Sequence, residues 1–196
     1  MSLKLRYAGW ALALLAERLR DVLRTLTERG VRVVSTAAPP SLFIPAGRTE
    51  PAEPRPGADL RAFLDEAAGS GCKIVVWLGP RDLAGVAAAG YPPAWLEEPS
   101  ILARNAAGEC IPSSPGWGGD VFALPCLVSD AYPRLLEAYA RAVATMISPY
   151  LHPDGPVSGL GLTQAPGWEA AAPVFAADYH PDALRLYRQT LRRRYG

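Results

Sequence analysis

Four tryptophans, Trp77, Trp95, Trp117 and Trp168, stand at or just after stretches patterned as β-strands. An indole face stacks well on a sugar ring, so indoles gathered at strand ends suit a carbohydrate-binding mouth. The competing use of the same side chains is to fill a core, above all for Trp77 and Trp95. Trp117, in SSPGWGGD, is the one whose neighbours most favour exposure. Other chemistry is thin. Cys72, Cys110 and Cys126 are an odd number at wide spacing with no CxxC pair. That pattern argues against a zinc site and a disulfide framework, and three reduced thiols are expected. His152 and His180 sit in proline-containing loops and read as neither metal ligands nor general bases. Arg192-Arg193-Arg194 closes a predicted helix, where positive charge complements the helix dipole.

The elements that would position the tryptophans follow from periodicity. Leu12, Leu15, Leu19, Val22, Leu23 and Leu26 keep helical spacing, predicting a helix from Trp10 to Arg29 that stops at Gly30. Val31–Thr36 reads as a buried strand, followed by a Pro-rich loop. A helix opening near Asp59 carries Leu60, Phe63, Leu64 and Ala67 on one face. The apolar strand Cys72–Leu78 comes next, closed by Gly79-Pro80. Arg81–Leu127 is a long irregular stretch of the kind that is functional or inserted. Ala131–Ile147 is a helix, Val157–Leu162 a strand weakened by Gly159 and Gly161, and Pro181–Tyr195 a last helix. With Lys4–Tyr7 as a strand in front, the order is about four βα units, hence an α/β fold with a parallel sheet. Alternation alone does not separate a doubly wound sheet from part of a (β/α)8 barrel. The barrel requires strands adjacent in chain order, whereas a doubly wound sheet reverses at a switch point.

Composition bounds the partners. Lys plus Arg is 20 against 19 Asp plus Glu, a net charge of +1, so no basic excess exists to bind nucleic acid. At 49% hydrophobic and 20% charged residues over 196 positions, the chain is globular and sized for one domain. Neither GxGxxG after a strand nor GxxxxGK[ST] occurs, so no nucleotide cofactor is expected. No apolar run is long enough to span a membrane. Lys4 and Arg6 before an apolar stretch faintly resemble a secretory leader, but the helical pattern runs past any cleavage point. The expected location is cytoplasmic.

DLRAFLDEAAGSGCKIVVWLGP, then GYPPAWL at Gly90–Leu96, then Arg104, resemble the front half of β-galactosidase-type glycoside hydrolases of families 35 and 42. Glu53-Pro54-Arg55-Pro56-Gly57 is similar to their Glu-Pro-x-Pro-Gly turn. Tyr139–Leu162, with Pro149, Leu151 and Gly155-Pro156, is similar to the next helix and strand, and YHPDALRLYRQTLRRRYG to the segment after the fourth strand. The resemblance covers most of the chain from about residue 20 onward. It implies a partial (β/α)8 TIM-type barrel of about four βα units, one incomplete domain over 1–196, and hydrolysis of terminal β-galactosides through a covalent glycosyl-enzyme.

Carried over residue by residue, the resemblance puts the family's acid/base Glu at Ala165, which cannot transfer a proton, and its neighbouring Asn at Gln164, an amide able to bond a sugar hydroxyl. The family's sugar-binding Glu falls on Gly85, and its nucleophile belongs to a later strand than this chain holds. A retaining mechanism needs both carboxylates. Glu169, four residues past Ala165, is the substitute acid to weigh. Gln164, Trp95, Trp168, Asp82 and Glu53 are the candidate substrate-binding residues, although a loop acid is by default solvated and Glu53 suits a turn or ion pair. The implied function is a glycoside hydrolase-like protein of β-galactosidase type, acting on or binding terminal β-galactosides and inactive as this chain alone. The alternatives are an inactive carbohydrate-binding or assembly module on the same scaffold, and an open α/β domain of unrelated function. A half barrel leaves open sheet edges, so a homodimer or a second polypeptide completing the barrel is expected beside the carbohydrate ligand. No metal, cofactor, nucleic acid or membrane partner is expected.

Overall fold

The computed structural model describes residues 21–51, 60–79, 87–113, 121–162 and 178–196. Helix α1 covers 21–28 of this range. Its end explains where the first strand begins. Gly30, at φ +83, donates its N–H to Thr27 O, and Val31 donates to Leu26 O, which together form a Schellman cap. Leu26 and Val31 both pack against the core. The cap uses Val31, so strand β1 runs Val33–Ala38, two residues later than the expected Val31–Thr36.

Strand β2 is Lys73–Leu78 and strand β3 is Val157–Leu162. The three form one parallel sheet in the order β1-β2-β3. This is the chain-order adjacency that a barrel requires, and it makes the chain an α/β protein with a three-stranded parallel sheet. The expected strand at Lys4–Tyr7 lies outside the described residues, and the described strands do not close into a barrel.

Two crossover helices lie between the strands: α2 at Leu60–Ser70 and α4 at Tyr132–Ile147. Both pack on one face of the sheet. There Val34, Ala38, Ile74 and Val76 meet Leu60, Phe63, Leu64 and Ala67 of α2 and Tyr139, Val143, Met146 and Ile147 of α4. Full burial of each large apolar side chain contributes about 1.5–3 kcal/mol, so this layer is the main source of stability. Ser129 Oγ accepts the Tyr132 N–H at 3.1 Å, and a proline occupies the first turn of α4, which sets its start.

The expected irregular stretch between β2 and α4 is more structured than its composition suggests. Its described part holds a 3-10 turn at Ala87–Gly90, the short helix α3 at Pro93–Leu96, and a second 3-10 turn at Pro99–Ile101. Isolated antiparallel bridges follow, pairing Leu102 with Pro125, Arg104 with Cys110 and Pro112 with Ala123. This excursion has its own small core of Ala103, Ile111, Leu124 and Cys126. It joins the main core through Tyr132, whose ring meets Trp95 edge-on at 5.9 Å and whose hydroxyl lies 3.3 Å from that of Tyr91. The last helix, α5, is Pro181–Tyr195. Among the described residues, no helix is long and apolar enough to cross a membrane.

Tyr139 joins the C-terminal ends of β1 and β2. Its buried hydroxyl donates to Ala38 O and accepts the Gly79 N–H at 2.9 Å. Tyr139→Phe leaves both backbone groups without this partner, so it is expected to cost about 1–3 kcal/mol. Urea unfolding checks this: the midpoint falls while the m-value is unchanged.

Candidate functional site

In parallel sheets flanked by helices, ligand-contacting residues gather at the C-terminal ends of the strands. Register defines what stands there. On the face opposite the helices, Ala37 of β1, Trp77 of β2 and Gly161 of β3 are paired neighbours in one row. One step toward the N-terminal ends is the row Ser35, Val75 and Gly159. No residue of this face is buried. A methyl group at Gly161 would meet Trp77 Cε3 at 2.3 Å and Cδ2 and Cζ3 at 2.7 Å. The six-membered part of the indole therefore occupies the space a Cβ would take. Small neighbours on both sides let the ring extend along the sheet and remain half-buried, a suitable surface for a sugar ring. Gly79, at φ +90, turns the chain immediately after β2 in a conformation that favours glycine.

The two tryptophans with alternative uses thus divide. Trp77 stands at the strand ends, partly open. Trp95 is fully buried, packs against Tyr132, and donates its indole N–H to Thr49 O at 2.8 Å. It is a residue of the main core. Glu53, Asp82, Gln164, Ala165, Trp168 and Glu169, and also Gly85 and Trp117, lie outside the described residues.

A second polar cluster, not expected from sequence, ties α5 to the excursion. Asp178 Oδ1 accepts the backbone N–H groups of Arg104 at 3.1 Å and His180 at 2.9 Å, and the carboxylate also accepts a hydrogen bond from the Cys126 thiol. His180 is buried and caps α5 by accepting the Asp182 N–H at its Nδ1, at 3.2 Å. Asp182 in turn accepts the Asp130 N–H at 2.9 Å, and Arg185 bridges Asp130 at 2.7 Å and Asp182 at 3.0 Å. The Asp130 N–H and the Arg185 guanidinium hold the Asp182 carboxyl below its usual range. The sequence signal was present in His180-Pro181-Asp182, a side-chain acceptor before a first-turn proline and an acid.

Cys126 is no nucleophile here. Burial, then the Asp178 carboxylate, pushes its thiol up to about 12, so it is protonated at neutral pH. Among the described residues, no group of three or more His, Cys, Asp or Glu side chains could hold a metal ion.

No protein-family model matches the chain, and no curated protein sequence matches it. Among solved structures it is similar to variants of the family-36 α-galactosidase AgaA of Geobacillus stearothermophilus. Against the complex with 1-deoxygalactonojirimycin, the TM-score is 0.42 at 13% identity, over 88% of this chain and 23% of that one. Against the stachyose complex it is 0.41 at 12% identity, over 92% and 24%. Against the raffinose complex it is 0.38 at 12% identity, over 92% and 24%. The chain thus spans about a quarter of the length of these enzymes, which are α- and not β-galactosidases by name.

Two outcomes are expected. Gly161→Ala forces the Trp77 ring off the sheet and costs about 1–3 kcal/mol, read as a lower urea midpoint with changed tryptophan fluorescence. For Cys126, the folded thiol keeps its proton up to about 12, whereas the unfolded thiol loses it near 9.0. The native state therefore binds more protons between these values, and stability falls as pH rises through that window. The urea midpoint should drop from pH 8 to pH 10.5, and drop less in Cys126→Ala.

Proposed function

We propose that this chain is a carbohydrate-recognising part of a β-galactosidase-type glycoside-hydrolase scaffold, which binds a terminal β-galactoside and does not hydrolyse it. The observation that carries the reading is Trp77, laid across Gly161 at the C-terminal end of a parallel sheet whose strands follow chain order. A pyranose presents axial C–H groups on one face, and a half-buried indole at strand ends is a surface for them. Gln164 would add an amide for a sugar hydroxyl, with Trp168, Asp82 and Glu53 as further ligand contacts. The resemblance on DLRAFLDEAAGSGCKIVVWLGP and GYPPAWL supplies the substrate class.

The non-hydrolytic part rests on Ala165. A methyl group at the acid/base position neither protonates a leaving group nor activates water, and such assistance is worth about 10²–10⁴-fold.

Calorimetric titration with methyl β-galactoside tests the reading, with methyl α-glucoside as control. Binding of the first should weaken at least tenfold in Trp77→Ala and persist in Trp95→Phe, and nitrophenyl β-galactoside should turn over at background. Absence of binding sinks the carbohydrate reading. Turnover that disappears in Glu169→Gln sinks the non-hydrolytic one and makes Glu169 the acid.

A further inference from the structure

In this fold, helices cover one face of the sheet, and the cover stops short. Register places Leu160 beside Val76 and Leu162 beside Leu78, on the face that α2 and α4 pack against. Val76 is fully buried, yet Leu160 is 51% exposed and Leu162 82% exposed. The next described helix after β3 is α5, and no residue of α5 is buried. Leu184, Tyr187, Leu191 and Tyr195 follow helical spacing along one side of it. Tyr187 is 62% exposed and Tyr195 74% exposed. An uncovered strand face and an uncovered helix stripe thus occur in the same chain.

They do not meet within one molecule because the first turn of α5 is fixed elsewhere. Asp178, His180, Asp182 and Arg185 attach it to Arg104 and Asp130, and Ala183 packs on the small core of the excursion. We propose that α5 of one copy lies on Leu160 and Leu162 of a second copy, and reciprocally, so that two chains complete each other's helix layer.

Three observations select this occupant. The contact continues the helix-on-sheet interface that α2 and α4 already make with β1 and β2. The lengths agree, since a helix of 15 residues spans about 22 Å and a strand of 6 residues about 20 Å. Charge excludes pairing of the two α5 helices with each other, because Arg185, Arg188, Arg192, Arg193 and Arg194 face only Asp182 in the same helix, whereas β3 (VSGLGL) carries no charge. Reciprocal exchange closes with two-fold symmetry, which keeps the assembly a dimer. Covering Tyr187, Leu191, Tyr195, Leu160 and Leu162 in both directions removes on the order of 1,200 Å² from water, the lower end of stable interface sizes.

The test uses the full chain with Cys110→Ser, since Cys72 and Cys126 are buried. One preparation carries Leu162→Cys and another Leu191→Cys. When the two are mixed and oxidised, the expected product is a disulfide-linked dimer containing one chain of each kind. Light scattering of the unmodified chain at micromolar concentration should give twice 20.9 kDa. Leu162→Asp, at an exposed position that leaves helical circular dichroism and cooperative unfolding unchanged, should give a monomer. A monomeric unmodified chain, absence of the mixed disulfide, or a dimer that survives Leu162→Asp would each overturn the proposal. None of these results depends on whether the chain binds a sugar, because Trp77 lies on the opposite face.

Discussion

A strand connected to a parallel neighbour through a helix places that helix on a predictable side of the sheet, because the crossover is right-handed. In this chain both crossovers, through α2 and through α4, therefore lie on one face. Everything distinctive about the molecule follows from that asymmetry. One face becomes the main core, with Ile74 and Val76 of the central strand fully buried. The other face carries Ser35, Ala37, Val75, Trp77 and two glycines, none of them buried. Parallel sheets are ordinarily covered on both sides. A half-buried indole thus stands on the face that neither crossover helix covers.

Tyr139 shows how the two faces are joined mechanically. It comes from α4 and its ring meets Phe43 edge-on at 5.7 Å. Its hydroxyl reaches over the top of the helix-covered core to the ends of two strands. Burial pushes its pKa up to about 12, so it remains a neutral donor and acceptor at working pH. The same bond fixes Gly79, two residues past Trp77, and so helps set the direction in which the chain leaves the candidate site.

Element types and order were legible because the apolar patterns of α2, α4 and the β2 strand are strong. Leu60, Phe63, Leu64 and Ala67 were read on one face and are all buried together. The start of β1 was displaced because Val31 belongs to a helix cap, a local competition that strand propensity does not reveal. Tryptophans were harder. Composition marks Trp77 and Trp95 equally, and only tertiary placement separates a residue across a glycine from one enclosed by Tyr132 and Thr49. The Asp178–His180 cluster joins residues more than fifty positions apart to Arg104 and Cys126, and no spacing rule connects them.

Strand β3 makes the deepest demand on register. Two glycines in six residues weaken a strand, by roughly 0.5–1 kcal/mol each relative to alanine. Simple alternation would put Val157, Gly159 and Gly161 on one side and Leu160 and Leu162 on the other. Observed pairing shifts between Ile74 and Val75, so that Val157 pairs with Ile74 but Gly159 pairs with Val75. Ser158 is the extra residue, and its hydroxyl donates to Ile74 O at 3.3 Å. This irregularity inverts the phase of the strand. Val157 thereby enters the main core, Leu160 and Leu162 follow it on the helix side, and both glycines turn to the opposite side beneath Val75 and Trp77. Without it, either Val157 would leave the core or the leucines would displace the indole. The space that the Trp77 ring fills across Gly161 and the apolar row left on the helix side thus have one origin, a single residue of shift at Ser158.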